Sequence, residues 1–378
     1  MSTTGGRTVL AGVGLGAKIV AALLSLSVLL GSGYAWASYR NLESHVTNID
    51  AIAPVTPAQQ RQDIDGSDQN ILLVGNDDRT GATAAELAQM HTGTDDGAVN
   101  TDTMVVLHVP ANGAKATGIS FPRDSWVSIP GHGKGKLNSA YELGTQDGGG
   151  PAGGARLLIA TIHQLTGLAI DHYVAVSMLS FLRLAKALGP IQVCLKAATQ
   201  DDYSGANFKA GPQTLQPSQA LSFVRQRHGL PNYDLDREIR QQYFLSAEFH
   251  QLASAHTLLS PLRLQSLIST VSSSIVKDRP LNLLSFAGQM QNLTSGNLKF
   301  AQLPITGTPN IYVDGRKVSI VAVNFATLPA FIDTVIGKPV PKAGSTAGAA
   351  AGKPATSGAP STAAGSPARS FSSTDCIY

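Results

Sequence analysis

Between residue 70 and residue 336 the chain alternates short apolar runs, bounded by turns, with segments of helical periodicity. Asn70-Ile71-Leu72-Leu73-Val74-Gly75 is such a run and predicts a buried strand. Residues 77–101 read as loop, with a helical turn over 84–90, and two further strands are predicted over 104–109 and 116–121. Glycine-rich 130–151 predicts irregular chain, and 155–165 a helix stopped at Gly167. A strand is expected over 173–177, a helix over 179–188 ended by Gly189-Pro190, and a strand over 191–195. Helices follow over 217–223, 236–252, 261–276 and 281–293. Residues 298–303 and 318–323 predict a closing strand pair, and 325–336 a last helix. Strands interleaved with helices indicate an α/β or α+β domain whose central sheet is covered on both faces. No period of solenoid length is visible.

The ends follow other patterns. Residues 19–37 (IVAALLSLSVLLGSGYAWA) are uncharged, finish in Tyr34 and Trp36, and follow Arg7 and Lys18. This predicts a transmembrane helix with residues 1–18 in the cytoplasm and the rest outside. A cleaved signal peptide is the alternative, but the run is long for one. Residues 38–68, with Pro54 and Pro57, read as a stalk, 69–338 as the folded domain, and 339–378 as a flexible Ala/Gly/Ser/Thr/Pro tail ending beside Cys376. Cys194 and Cys376 both fall on the outer side, where an even count allows one disulfide pinning the C-terminal end to the domain. Two free thiols are the alternative.

Charged residues make up 14% of the chain and the net charge is +3, so no nucleic-acid footprint is indicated and any basic site must be local. CxxC, HExxH, GxxxxGK[ST] and GxSxG motifs are absent, and the histidines show no ligand spacing. The local exception is Arg225-Gln226-Arg227-His228 followed by Asn232 through Gln242. Asp234, Arg237 and Gln241 are spaced to lie along one helical stripe, while Arg225 and Arg227 share a face of an extended segment. Converging guanidiniums suit an anion, phosphate above all; the alternative is a solvated charged helix face.

Acidic residues flank the predicted strands. Asp77 and Asp78 follow the first and Asp102 precedes the second, positions where a carboxylate projects at a sheet edge and two can share one hard cation. Capping of turns is the alternative. Arg123 and Asp124 follow the third strand after Pro122, and Lys136 and Asn138 follow the glycine-rich loop. Two aspartates for Mg²⁺ and several arginines for oxyanions, with no protein nucleophile, describe an electrostatic phosphoryl-transfer site.

Taken together, six segments resemble the LytR-CpsA-Psr family of cell-envelope phosphotransferases. They are residues 70–79, Thr101-Asp102-Thr103-Met104, Ile119-Ser120-Phe121-Pro122-Arg123-Asp124, Lys136-Leu137-Asn138-Ser139-Ala140-Tyr141, residues 219–228 and residues 234–242. The resemblance implies an α/β/α sandwich with a central mixed sheet, holding a polyprenyl-pyrophosphate lipid with its tail in an apolar pocket beside the sheet. It implies transfer of a lipid-linked glycopolymer to a cell-wall acceptor. By motif position Asp77 and Asp102 are the Mg²⁺ ligands (Mn²⁺ as alternative), Arg123, Arg225, Arg227 and Arg237 clamp the pyrophosphate, and Gln241 hydrogen-bonds it. Arg79, Lys136 and Asp234 join them in substrate binding.

The chain departs from the family at Asn100, where many members carry arginine; Arg79 or Lys136 would then supply the missing phosphate contact. The long interval between Asp77 and Asp102 leaves Asp95 and Asp96 as substitutes for Asp77. The alanine-rich composition, Cys194 and the tail look actinobacterial, which suggests arabinogalactan attached to peptidoglycan at the outer face of the cell membrane; teichoic acid or capsule is the alternative polymer. Hydrolysis of the lipid, or lipid binding without catalysis, are the rival activities.

Overall fold

A computed structural model describes residues 46–52, 67–93, 99–111, 115–252, 273–282, 298–338, 368–371 and 375–378, with single positions at 270 and within 22–40. Its centre is a seven-stranded mixed sheet in the order β1-β12-β7-β2-β3-β4-β13. The strands are β1 (Thr47–Ile49), β2 (Gln69–Asn76), β3 (Thr101–Val109), β4 (Ala116–Ser120), β7 (His172–Ser177), β12 (Ile275–Asp278) and β13 (Leu298–Gln302). Small two-stranded ribbons surround it: β5 (Trp126–Ile129) with β6 (Gly133–Lys136), β8 (Ile191–Leu195) with β11 (Gly211–Leu215), β9 (Thr199–Asp201) with β10 (Ala206–Phe208), β14 (Ile305–Gly307) with β17 (Ala322–Val323), and β15 (Asn310–Val313) with β16 (Arg316–Ser319). The helices are α1 (Ala84–Gln89), α2 (Ser139–Gly144), α3 (Gly150–Thr166), α4 (Met178–Leu188), α5 (Pro217–Arg225), α6 (Asp234–Leu252) and α7 (Leu328–Val335).

Alternation along the strands makes the layers. On β2, Ile71 and Leu73 face one side and Leu72 and Val74 the other; on β3, Val105 and Leu107 oppose Met104 and Val106. The first side packs against Leu179 and Leu182 of α4, Leu221 and Phe223 of α5, and Tyr243 and Phe244 of α6. The second packs against Tyr141 of α2, Ala155, Leu158 and Ile162 of α3, and Leu328 and Ile332 of α7. A sheet buried on both faces gives the expected three-layer α/β arrangement.

Several expectations are corrected. Residues 130–151 are not irregular: they hold β6, α2 and a five-residue wide turn into α3. The glycines serve close helix contact, since a Cβ on Gly144 would lie 2.5 Å from the Gly153 carbonyl oxygen. Ile275 and Val276, expected at the end of a helix, lie in β12, between β1 and β7; residues 261–269, 271 and 272 of that expectation lie outside the described residues. Leu281 and Asn282 are not helical, and 283–293 lie outside. Residues 298–303 and 318–323 do not pair. β13 runs parallel to β4, whereas Arg316–Ser319 closes on β15 and Ala322–Val323 on β14. β1, within the expected stalk, extends the sheet because Val46 and Ala51 beside it are buried.

The far end of the expected tail is docked. Phe371 packs beside Tyr243 and Phe300, Arg369 bridges Phe300, and Ile377 bridges Leu195. Cys194 and Cys376 form a disulfide. Apolar side chains and a covalent link hold this end where composition alone suggests mobility; residues 339–367 lie outside the described residues. About half of the expected transmembrane segment 19–37 lies outside them as well. Its described positions are helical and exposed, and no helix among the described residues is long and apolar enough to cross a membrane.

Candidate active site at one end of the sheet

Strand pairing brings the acidic and basic motifs to one end of the sheet. The end of β2 meets the start of β3, Asn76 opposite Thr101 after a bulge at Gly75, and Asn76 also pairs with Ser177 at the end of β7. β4 finishes at Ser120 beside Val105, and Phe121-Pro122 then carries Arg123 to the same end. β3 starts at Thr101, three residues before the apolar run, so Asp102 is held within the sheet. The backbone of Asn138 donates to the Arg123 carbonyl at 3.1 Å, which draws the Lys136 segment alongside.

Helices α5 and α6 bring in the other cations. α5 continues to Arg225, two residues past the expected end, and Gln226 is extended with ψ 135°. α6 starts at Asp234, two residues earlier than expected. Asp234 gathers three guanidiniums, with Arg227 Nε and Arg237 Nη2 both at 3.1 Å and Arg123 Nε at 3.3 Å. Asp102 accepts from Arg123 Nη1 at 2.5 Å and lies 3.8 Å from Arg227 Nη2. Burial would raise the Asp102 carboxyl, but Arg123, Arg237 and Arg227 overcome it and hold its pKa below the ordinary value. Arg123, buried yet facing Asp102, Asp234 and Asp124, is raised.

Arg225 and Arg237 shift the other way. Burial lowers Arg225, with Asp102 opposing and Arg79 and Arg227 adding to the effect. Burial lowers Arg237 against the pull of Asp234. Arg237 Nε is buried and finds no acceptor among the described residues. Arg225 Nη1 donates to the Met90 carbonyl at 2.5 Å, and Arg225 makes no ion pair among the described residues. Guanidiniums stay charged under such shifts, so both are desolvated cations that a polyanion would stabilise.

Behind this charged mouth lies a cavity of about 720 Å³ between the sheet and helices α4, α5 and α6. Its body is apolar, lined by Val174, Val176, Phe181, Leu221, Val224 and Leu245. Asp77, Arg79, Asp102, Arg225, Arg227, Arg237 and Gln241 line it as well. Arg123 and Asp234 stand beside Asp102 and Arg227 without lining it. Gln241 donates to the Val224 carbonyl at 3.2 Å, tying α6 to α5. Lys136 also stands off the cavity and pairs with Asp124 at 2.8 Å.

Asp77 and Asn100 are partners. The Asn100 backbone N–H donates to Asp77 Oδ1 at 2.7 Å and its side-chain amide to Oδ2 at 3.2 Å. Asp95 and Asp96 lie outside the described residues. Among the described residues no cluster of three His, Cys, Asp or Glu could hold a metal ion. Asp77 and Asp102 line one cavity, and each carboxylate oxygen keeps a lone pair beyond its present partner. Such a pair fits a hard cation completed by water and phosphate oxygens.

The sequence matches the LytR_cpsA_psr family over residues 37–327. The chain belongs to the LytR-CpsA-Psr family. Among its relatives, the cell wall biosynthesis protein LcpA of Corynebacterium glutamicum is 36% identical over 355 residues, covering 87% of this chain and 67% of LcpA. The polyisoprenyl-teichoic acid–peptidoglycan teichoic acid transferase TagU of Oceanobacillus iheyensis is 32% identical, over 60% of this chain and 65% of TagU. The chain thus spans about two thirds of either relative's length. The fold is shared with the LytR-Csp2A-Psr enzyme from Actinomyces oris, at a TM-score of 0.56 and 19% identity over 77% of this chain and 95% of that one. The Corynebacterium relatives fit an actinobacterial origin.

Parts of this LytR-CpsA-Psr site are not apparent in the sequence. The apolar lining comes from seven elements, β2, β3, β7, β12, α4, α5 and α6, and reads as ordinary core in each. Asp201, whose side chain is 2% exposed, accepts from the Arg227 backbone N–H at 3.2 Å and so holds the arginine pair from below. Its only sequence signal is the Asp201-Asp202 pair.

Proposed function

We propose that the chain transfers a glycopolymer from a polyprenyl-pyrophosphate carrier to a cell-wall hydroxyl, forming a phosphodiester, with arabinogalactan as polymer and peptidoglycan as acceptor. One observation carries the reading: a buried-guanidinium mouth opens directly into an apolar cavity, which suits a ligand with a pyrophosphate head and a hydrocarbon tail. The names of LcpA and TagU support the cell-wall setting. In this reading residues 19–37 anchor the protein in the cell membrane, with the catalytic domain outside.

The acceptor oxygen attacks the polymer-proximal phosphorus. A new P–O bond forms, the bond from that phosphorus to the bridging oxygen breaks, and polyprenyl phosphate leaves with the bonding pair. The acceptor proton passes to a carboxylate of the cluster; Asp124 and Asp234 are the candidates. Arg225, Arg227 and Arg237 hold the pyrophosphate oxygens and offset the charge that grows on them, with Arg123 fixing Asp102 and Asp234 beneath. Asp102 and Asp77 would hold Mg²⁺ or Mn²⁺, which supplies further charge neutralisation when bound.

The test is incubation with a polyprenyl-pyrophosphoryl oligosaccharide, Mg²⁺ and peptidoglycan fragments, read by mass spectrometry. A phosphodiester-linked adduct supports transfer. Phosphorylated glycan released equally without acceptor makes the protein a hydrolase, and bound but unconverted lipid makes it a binding protein.

A further inference from the structure

Beside the arginine pair, three aromatic rings stand in the open. Tyr203 is 76% exposed and Tyr233 61%, with exposed His228 between them. Ring centroids are 4.6 Å apart for Tyr203 and His228, and 6.3 Å for His228 and Tyr233. Contiguous exposed aromatic surface marks contact sites more often than chance exposure does. Tyr203 and His228 also line the rim of the cavity, so the platform is continuous with the charged mouth.

The platform is built into the turn that carries it. Tyr233 has φ +47°, a conformation that a bulky side chain rarely adopts and a glycine would take freely. The turn is held by Asp236, whose Oδ2 accepts from the Asn232 backbone N–H at 2.8 Å, and by the Arg237 N–H, which donates to the Tyr233 carbonyl at 3.1 Å. Buried Asp201 fixes the other two rings. It accepts from the Tyr203 backbone N–H at 3.0 Å and lies 3.4 Å from His228 Nδ1, while also holding the Arg227 N–H. One carboxylate thus sets the rings relative to a phosphate-directed arginine.

We propose that Tyr203, His228 and Tyr233 form a saccharide subsite for the sugar bonded directly to the carrier's pyrophosphate. This rests on the function proposed above. His228 follows Arg227 and Tyr233 precedes Asp234, so the rings flank the residues assigned to the pyrophosphate. With the tail inside the apolar cavity, the sugar, one bond from phosphorus, leaves the mouth at this rim. A sugar ring offers an apolar C–H face to an aromatic ring and hydroxyls to the tyrosine O–H groups, matching side chains with an apolar body and a polar tip. A bare prenyl chain has no use for such a rim.

Binding of two probes to the full chain in detergent tests this: polyprenyl pyrophosphate, and the same lipid carrying N-acetylglucosamine on its pyrophosphate. Both tyrosines are exposed, and Tyr233→Gly suits its backbone, so neither substitution threatens folding. Tyr203→Ala and Tyr233→Gly are each expected to weaken the glycosylated lipid about fivefold, with the sugar-free lipid changing less than roughly twofold. Equal loss for both lipids, or no loss for either, overturns the subsite while leaving the pyrophosphate reading intact. Peptidoglycan fragments titrated as a further probe close the remaining case: loss confined to them assigns the rings to the acceptor and overturns the donor subsite. Wild-type protein that binds neither lipid removes the proposed function itself, and the subsite with it.

Discussion

Glu248 lies on α6 eleven residues beyond Arg237, which at the helical rise is about 16 Å deeper along the cavity. It lines the apolar cavity, is 7% exposed, and its Oε2 has no hydrogen-bond partner among the described residues. Burial alone raises its pKa from 4.5 to about 7. Below pH 4.5 the carboxyl is protonated both folded and unfolded. From there to about pH 7 the unfolded chain loses the proton while the folded chain keeps it, so stability falls as pH rises and levels off above. That interval, at ~1.4 kcal/mol per pH unit, corresponds to roughly 3 kcal/mol at pH 8. Glu248→Gln keeps the shape and cannot ionise. Thermal unfolding of both proteins in one detergent should give midpoints that differ little at pH 5. By pH 8 the variant should be higher by several degrees, on a scale of roughly 2–4 °C per kcal/mol. Parallel midpoint curves across pH 5–9 would refute the argument that this carboxyl is neutral in the folded protein.

Other expectations follow from single contacts. Asp102→Ala should abolish Mg²⁺-dependent adduct formation, and Arg237→Ala should in addition weaken pyrophosphate binding by roughly ten- to a hundredfold in a lipid titration. Wild-type rates in either variant remove that residue from the site. Cys376→Ser should lose about 2–4 kcal/mol in chemical denaturation, and reductant should bring the wild type down to the same level. Gly118→Ala would set a Cβ 2.6 Å from Phe300 Cδ1, so it should cost about 1–3 kcal/mol of stability by the same measurement.

How far the sequence carries differs between elements. β2 is legible because it is buried on both faces and bounded by a turn, and the run 70–75 lies within Gln69–Asn76. The start of β3 is hidden, since Thr101, Asp102 and Thr103 look like loop residues although they pair with the end of β2. β12 is misread because Ile275 and Val276 follow a Ser-rich segment of helical periodicity, and pairing with β7 overrides it. The partner of β13 is unreadable, as parallel pairing with β4 joins segments about 180 residues apart. At the site, the helical stripe of Asp234, Arg237 and Gln241 is legible because its periodicity is local, whereas Arg225, expected in an extended pair with Arg227, ends α5, and the meeting of the two segments depends on tertiary packing. The pairing of Asp234 with Arg123, Asp201 beneath Arg227 and the apolar cavity all depend on contacts between distant segments.

The central claim is that one ligand places its pyrophosphate at the arginines and its hydrocarbon tail in the cavity behind them. A crystal structure of the protein with polyprenyl pyrophosphate and Mg²⁺ tests this most directly. The account predicts phosphate oxygens within hydrogen-bonding distance of Arg225, Arg227 and Arg237, with the tail running past Val176, Phe181 and Leu245 towards Glu248. Lipid seated on another surface, or phosphates bound at the arginines with the tail outside the cavity, would contradict it.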